Sequence, residues 1–192
     1  DAFGRNEHPG YSYSVADLQA LSKVLDGAVP VLAQIDRASD ITALMRLADE
    51  YSLRVILLGA TEAWLVADEL AAADIPVIFG PTSNLPSSFD ALNARRDAAT
   101  ILAEAGVRMA FAGSQSTTYN ARNITQSAGN AVGEGLSRDA ALRAITLAPA
   151  EMFGVANTLG SIEAGKQADF VIWPGDPLEL RTYPDAVFIR GE

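Results

Sequence analysis

The fold of this chain is set by the stretch Leu53-Arg54-Val55-Ile56-Leu57-Leu58-Gly59-Ala60-Thr61-Glu62. Its central run Val55–Leu58 is apolar throughout, which is typical of a parallel strand covered on both faces. Residues Glu62–Ala73 follow with helical periodicity, and the turn at 59–61 consists of small residues. The stretch predicts a buried strand that runs directly into a helix, with a turn at which backbone can approach a ligand.

The same strand-to-helix unit recurs along the chain. Apolar strands are predicted at Pro30–Asp36, Ile75–Phe79 and Val107–Ala112, and helices are predicted from about Ser39 to Tyr51 and over 93–105. Parallel neighbours need crossover connections, which are right-handed almost without exception. The sequence therefore predicts an α/β fold with a parallel sheet.

The two ends of the chain do not follow this strand-to-helix repeat. Ser14 is a predicted N-cap for a helix that stops near Gly27, and Ser137 caps one of the helices predicted between residues 124 and 154. From Leu159 onward, two short strands are predicted, Asp169–Trp173 and Ala186–Arg190, and glycines and prolines flank them. We expect a βα domain over residues 1–157 and a separate β segment over 158–192.

Composition excludes several classes of function. The chain has 192 residues, of which 49% are hydrophobic, so it can bury a sizeable core. It has no cysteine and a net charge of -10, which excludes thiolate chemistry and argues against a nucleic-acid partner. No apolar run approaches the ~20 residues that span a bilayer, so no membrane partner is expected. The chain begins at Asp1 and not at methionine, so we expect a trimmed or processed product, and the compartment stays open.

Polar side chains gather where the predicted strands end. Strand alternation puts Gln34 and Asp36 on one face, and small-residue loops follow the other strands. We predict a pocket for a small-molecule substrate or ligand, lined by Gln34, Asp36, Gly59, Thr61, Ser83, Asn84, Ser114 and Gln115. Arg37 and Glu62 lie at the same turns and are added to the candidates.

Two of these candidates also have a structural interpretation. Arg37 and Asp40 can pair with each other or cap the following helix, and Glu62 suits the dipole of the helix that it begins. His8 is the single histidine and lies in a predicted loop, where a surface role is commoner than metal binding. A hydrolytic triad lacks a positioned histidine, and no nucleotide-binding glycine motif follows any strand.

Two C-terminal motifs carry a family resemblance. They are Ala141-Leu-Arg-Ala-Ile-Thr-Leu-Ala-Pro-Ala150 and Gly165-Lys-Gln-Ala-Asp-Phe-Val171. They resemble the closing segment of the amidohydrolase superfamily, especially its imidazolonepropionase-like branch, and the resemblance extends back to about Pro30. It implies that the chain contains strands five to eight of a (β/α)8 TIM-like barrel and C-terminal strands of a small β-sandwich. The first four strands, with a His-x-His pair and a bridging lysine, would precede Asp1.

The resemblance also implies a metal site, since the family usually holds zinc or another divalent metal. Gln34 and Gly59 stand where active members place histidines, and Gly113–Gln115 replaces the aspartate of strand eight. We therefore expect no cofactor in this chain, and hydrolysis of C–N bonds only with a partner polypeptide that carries the other half-barrel. The alternative is a non-catalytic binding or assembly module.

The open edges of half a barrel predict assembly. The expected partner is an N-terminal half-barrel fragment or a second copy of the chain. A closed monomer with a four-stranded sheet is the other possibility.

Overall fold

A computed structural model describes residues 14–82, 86, 88–113 and 123–192. The helices and strands are, in chain order, α1 (Val15–Leu25), β1 (Val31–Ile35), α2 (Ala38–Tyr51), β2 (Val55–Gly59), α3 (Ala67–Ala72), β3 (Val77–Phe79), α4 (Ala98–Glu104), β4 (Met109–Phe111), α5 (Ile124–Gly133), α6 (Arg138–Ala144), α7 (Leu147–Met152), β5 (Phe170–Ile172) and β6 (Ala186–Phe188).

Four strands form one parallel sheet in the order β1-β2-β3-β4. Neighbours in sequence are therefore neighbours in the sheet, which is the arrangement of consecutive strands in a (β/α)8 barrel. The register pairs Ile35 with Gly59, so the carboxyl ends of β1 and β2 lie side by side. The α/β class and the parallel sheet that the sequence predicts are confirmed, and the sheet is consistent with part of a TIM-like barrel.

The core lies on both faces of this sheet. On the outer face, Leu57 and Val77 are fully buried against helices α2 to α6, together with Ile41, Leu70 and Leu102 of those helices. On the inner face, a smaller cluster joins Ile56, Ile78 and Ala110 to Ala148 and Met152 of α7. Helix α7 therefore covers the inner face over β2, β3 and β4. Strand β1 has no buried residue and alternates between half-buried and exposed side chains.

Two helix predictions need correction. The helix predicted over Glu62–Ala73 is divided into a 3₁₀ helix, Ala63–Val66, and α3. The helix predicted over 93–105 begins only at Ala98, and a 3₁₀ turn at Phe89–Ala91 lies within the segment predicted as a loop. The physical reason is that residues 93–97 are held by side-chain contacts with the β2–α3 segment, which compete with helical geometry.

The helix caps were predicted more accurately. Ser14 and Asp17 form a capping box at the start of α1, and the Ser137 hydroxyl accepts a hydrogen bond from the Ala140 N–H. Helix α2 begins at Ala38, one residue before the predicted start, and its N-cap Arg37 makes no side-chain cap. The first turn of α2 is therefore capped by a group from elsewhere in the chain.

The C-terminal segment forms an antiparallel pair of strands, β5 and β6, with the Phe170 and Phe188 rings stacked at 4.6 Å. The segment is joined to the βα body through residues 176–178. Leu178 is 8% exposed and belongs to the outer core, and Arg138 of α6 makes two hydrogen bonds to the Asp176 carboxylate. The Leu178 carbonyl lies so close to Gly129 of α5 that a Cβ at position 129 would be 2.3 Å from it.

The contact at Gly129 predicts an unusual cost for an alanine in a helix. We expect Gly129→Ala to lower the free energy of unfolding by about 1–3 kcal/mol, because backbone must shift to admit the methyl group. Gly133→Ala on the same helix is the matched control, since nothing lies within 4 Å of its Cβ position. The control should be neutral or stabilising by up to about 1 kcal/mol. Urea unfolding of both variants measures the difference, and equal effects would contradict the packing described.

Candidate functional site

The carboxyl ends of β1 and β2 are joined by backbone and side-chain hydrogen bonds. The Ala60 N–H donates to the Ile35 carbonyl at 2.8 Å, and the Glu62 N–H donates to the Asp36 carbonyl at 2.9 Å. The Asp36 carboxylate accepts from the Thr61 hydroxyl at 2.7 Å and from the Thr61 N–H at 3.3 Å. The structure thus brings together Asp36 and Thr61, both predicted as pocket residues. It uses one Asp36 oxygen to hold the β2 turn.

Glu62 is the central carboxylate of this edge. Its side chain is 8% exposed, and its Oε2 accepts the Ala38 N–H at 3.0 Å. Its Oε1 accepts the Asn93 Nδ2–H at 2.8 Å. Glu62 therefore ties together the segments that follow β1, β2 and β3. Glu62 begins the 3₁₀ helix Ala63–Val66, as predicted, but its side chain makes no cap there. The carboxylate instead caps α2, whose N-cap residue Arg37 makes no side-chain cap.

The hydrogen bonds also decide the charge of Glu62. Burial on its own raises the pKa of this carboxyl, but the hydrogen bonds from Ala38 and Asn93, with the nearby charge of Arg37, outweigh it and hold the pKa below the ordinary glutamate value. Glu62 is accordingly an ionised acceptor at neutral pH. Both of its oxygens are engaged by protein donors.

Arg37 lies at the same edge and is largely exposed. Its Nε is 2.6 Å from Oδ1 of Asp90, in the 3₁₀ turn after β3. The prediction that Arg37 pairs with Asp40 is wrong, since Asp40 accepts a hydrogen bond from the Ser39 hydroxyl instead. The Arg37 and Asp90 side chains are 47% and 62% exposed, and an ion pair of that exposure contributes at most about 1 kcal/mol.

A second contact set at this edge was missed by sequence reasoning. The Trp64 indole Nε1–H donates to the Asn93 carbonyl at 2.9 Å, and the Arg95 guanidinium lies 4.6 Å from the centre of the Trp64 ring. Arg95 also makes two hydrogen bonds to Asp97, each of 2.6 Å. The sequence did contain a signal for these contacts, because four of the five residues 93–97 are polar or charged where a buried helix would need apolar residues. These contacts position the segment after β3 beside the β2 turn.

Gln34 and Gly59 occupy the positions at which the family resemblance implies histidines. Gln34 is exposed at the end of β1, and Gly59 closes β2 with a φ of 85°. A left-handed φ costs a residue with a Cβ roughly 1–2 kcal/mol, so the backbone at position 59 disfavours any side chain. The adjacent Ala60 has a φ of 48°, which makes the turn left-handed at two successive residues.

The donors that the structure describes at this edge do not fit a divalent metal centre. Gln34 offers a neutral amide oxygen, Gly59 has no side chain, and the Asp36 and Glu62 carboxylates bind protein donors. Among the residues that the structure describes, no three His, Cys, Asp or Glu side chains are grouped so that they could hold a metal ion. Ser83, Asn84, Ser114 and Gln115, together with His8, lie outside the described residues. Gly113, which follows β4, is described and brings no carboxylate.

None of the helices in the described ranges combines the length and the apolar composition that crossing a bilayer requires.

Comparison with known proteins identifies the family to which a chain with this parallel sheet belongs. A sequence model described as the amidohydrolase family matches residues 3–192, and the chain belongs to that family. An amidohydrolase from Thermotoga maritima has a similar structure, with a TM-score of 0.86 and 26% sequence identity over 97% of this chain and 49% of that chain.

Two relatives are similar in sequence over part of their length. The amidohydrolase tasK of Hapsidospora irregularis is 29% identical over 177 residues, which are 90% of this chain and 18% of that protein. The imidazolonepropionase of Erwinia tasmaniensis is 42% identical over 64 residues, which are 30% of this chain and 16% of that protein. The chain therefore spans less than half the length of each of the proteins it matches here.

The role of Glu62 predicts a pH-dependent stability difference. In Glu62→Gln one acceptor oxygen becomes an N–H donor that faces another donor, so we expect a loss of about 1–3 kcal/mol at neutral pH. Because the folded-state pKa of Glu62 is lowered, its contribution is present above the ordinary value of 4.5 and disappears as the pH falls through the folded-state pKa.

Urea unfolding of wild type and Glu62→Gln between neutral pH and about pH 3 measures this difference, which should narrow on acidification. Glu50→Gln, at an exposed position on the same α2 helix, is the control and should change little. A gap between wild type and Glu62→Gln that is independent of pH would mean that Glu62 stabilises the fold by its shape and not by its charge.

Proposed function

We propose that the protein is a hydrolase of C–N bonds in cyclic amides or peptide-like small molecules, and that this chain supplies substrate-binding and loop-positioning groups. Family membership supports the hydrolase class, and the short but closer match to an imidazolonepropionase supports a cyclic amide as the substrate. The chain covers 49% of the Thermotoga relative, so metal-ligating groups of the whole protein would come at least in part from outside it. No hydrolytic step is assigned to this chain alone.

The observation that carries this proposal is that the Asp36 and Glu62 carboxylates, at the carboxyl ends of β1 and β2, accept hydrogen bonds from protein groups. Glu62 binds Ala38 and Asn93 with its two oxygens, and Asp36 binds Thr61 through Oδ1, so both carboxylates already hold protein groups in place. The Arg37 guanidinium at the same edge is 47% exposed and forms an exposed ion pair with Asp90. A guanidinium suits the carboxylate group of a peptide-like substrate.

The second candidate is a non-catalytic small-molecule-binding module that keeps the same pocket. The specific observation in its favour is Gly59, whose left-handed backbone is unsuited to the histidine implied at that position. In this case the whole protein would bind cyclic amides at the same edge without turning them over. Both candidates share the role of Arg37, and they differ in hydrolysis.

We expect the isolated chain to bind well under one zinc ion per molecule and to hydrolyse no amide on its own, because the donors that the structure describes do not make up a zinc centre. Elemental analysis after dialysis against zinc, with hydrolysis assayed with and without a chelator, measures both properties. Stoichiometric zinc together with chelator-sensitive hydrolysis by residues 1–192 would refute the assignment.

Substrate binding can be tested by substitution of Arg37. The protein to use is the whole gene product, including any residues encoded upstream of Asp1. We expect Arg37→Gln to raise KM for a substrate with a carboxylate by about tenfold and to leave kcat nearly unchanged, since a ground-state contact is lost. Arg46→Gln is the matched control, because Arg46 lies on α2 and its recorded hydrogen bond is to Thr42 of the same helix. In a protein without activity, the same loss should appear in Kd measured by calorimetry. Equal effects of the two variants would exclude Arg37 from the site.

A further inference from the structure

A cavity of about 260 Å³ lies at the amino-terminal ends of the four parallel strands, opposite to the carboxyl ends that carry the candidate site. Each strand contributes to its wall the residue that immediately precedes the strand, namely Pro30, Arg54, Pro76 and Arg108. The carbonyls of Arg54 and Arg108 accept hydrogen bonds at 2.7 and 2.9 Å from the first residues of β1 and β3. The wall of the cavity is therefore held in place by the sheet itself.

The segments outside the described ranges join the chain away from this cavity. Residues 83–85 and 87 follow β3, and residues 114–122 follow β4, so both segments join the fold at the carboxyl ends of strands. Residues 1–13 precede α1, whose 11 residues span about 16 Å and lead to the start of β1. Their points of attachment are thus at the other end of the strands or at the far end of α1.

Two carboxylates are present among the described residues of the wall, and arginines bind both of them. The Asp74 carboxylate accepts a hydrogen bond from Nε of Arg108 at 3.0 Å. On α7, the Glu151 carboxylate accepts two hydrogen bonds from the Arg143 guanidinium, at 2.6 and 2.7 Å. Each of these pairs is neutral, so neither adds a net charge to the cavity.

Arg54 is the other charged residue among those that the structure describes in the wall. Its Nη1–H donates to the Gly27 carbonyl at 3.1 Å, which satisfies one N–H group of the guanidinium but supplies no negative charge. None of the carboxylates in the described ranges lies within salt-bridge distance of this guanidinium. The wall therefore has one positive charge to which the described residues bring no counter-ion.

The buried part of the cavity wall is apolar. It includes Ile56 and Met152, which are 2% and 3% exposed and belong to the cluster on the inner face of the sheet. Val55 and Ile75 also line the cavity and are buried. An apolar group of a ligand is stabilised by leaving water for such a surface, whereas a strongly hydrated anion such as phosphate would lose its hydration there. The wall therefore favours a ligand that joins one negative charge to an apolar body.

We propose that this cavity binds a small monocarboxylic acid with an apolar body, and that Arg54 binds its carboxylate. A guanidinium presents two parallel N–H groups to a carboxylate, and one uncompensated positive charge matches a monoanion. The volume of about 260 Å³ is just below the ~300–1,000 Å³ of typical ligand pockets, which suits a small acid. The proposal does not rest on the proposed hydrolytic function, because the cavity and the candidate site lie at opposite ends of the strands.

The test uses isocaproate, a branched aliphatic acid, and the whole gene product with any residues encoded upstream of Asp1. Titration calorimetry should show saturable binding with a Kd below about 1 mM. In methyl NMR, isocaproate should shift the Met152 signal and leave the Met45 signal unchanged, because Met45 lies on α2 outside the cavity. Isocaproamide has the same shape without the charge and should bind at least about tenfold more weakly. Absence of binding, or equal binding of the acid and the amide, would overturn the proposal.

Substitutions assign the binding to Arg54. We expect Arg54→Gln to raise the Kd for isocaproate at least about tenfold, and Arg54→Lys, which keeps the charge, to raise it by only about threefold. Arg46→Gln is the matched control, because Arg46 is exposed on α2, and it should leave the Kd unchanged. Should Arg54→Gln fail to fold, Arg54→Lys and the comparison of acid with amide still decide the matter.

Two further results would contradict the proposal. If inorganic phosphate shifts the Met152 signal as strongly as isocaproate does, the cavity binds anions in general and the assignment to an apolar acid is wrong. If residues 1–192 bind isocaproate and the whole gene product does not, another part of the protein fills the cavity and the proposal fails.

Discussion

The Glu62 carboxylate is the interaction on which the carboxyl edge of the sheet depends. It substitutes for the missing cap of α2 and simultaneously binds Asn93, so a single ionised group fixes the segments after three successive strands. A nearly buried carboxylate is tolerated only when its oxygens are satisfied by donors, and here each oxygen has one. Asp36 acts in the same way on a smaller scale through Thr61. The Asp36 and Glu62 carboxylates at this edge consequently stabilise the fold by binding groups of the neighbouring segments.

The four strands of the parallel sheet are buried to different extents by the helices. Strands β2, β3 and β4 are buried between the outer helices and α7, whereas β1 is half-exposed and none of the side chains described over residues 16–25 of α1 is buried. The half-exposed strand β1 leads directly to Asp36 and Arg37.

Much of the fold could be predicted from local pattern. Apolar runs such as Val55–Leu58 identify strands because both faces of a covered parallel strand must be apolar. Ser14 and Ser137 identify helix starts because a hydroxyl at the N-cap binds the next turn of the same helix. In the site, Asp36 and Thr61 were predicted as neighbours in space from their positions at strand ends. These predictions succeed because each depends on residues close in sequence or on the shared polarity of parallel strands.

The sequence by itself determined the α/β class, the four strands and the absence of histidines at positions 34 and 59. Only the tertiary structure decided which partners the charged side chains bind. Glu62 caps a helix that begins 24 residues earlier, and Arg37 pairs with Asp90. The contact between Asn93 and Trp64 holds the segment 93–97, which the helix predicted over 93–105 had included. The left-handed turn at Gly59 and Ala60 is likewise a result of closing β2 against Ile35. The reason is that capping and pairing depend on distances between groups in space, and these distances exist only after the parallel sheet has brought the strand ends together.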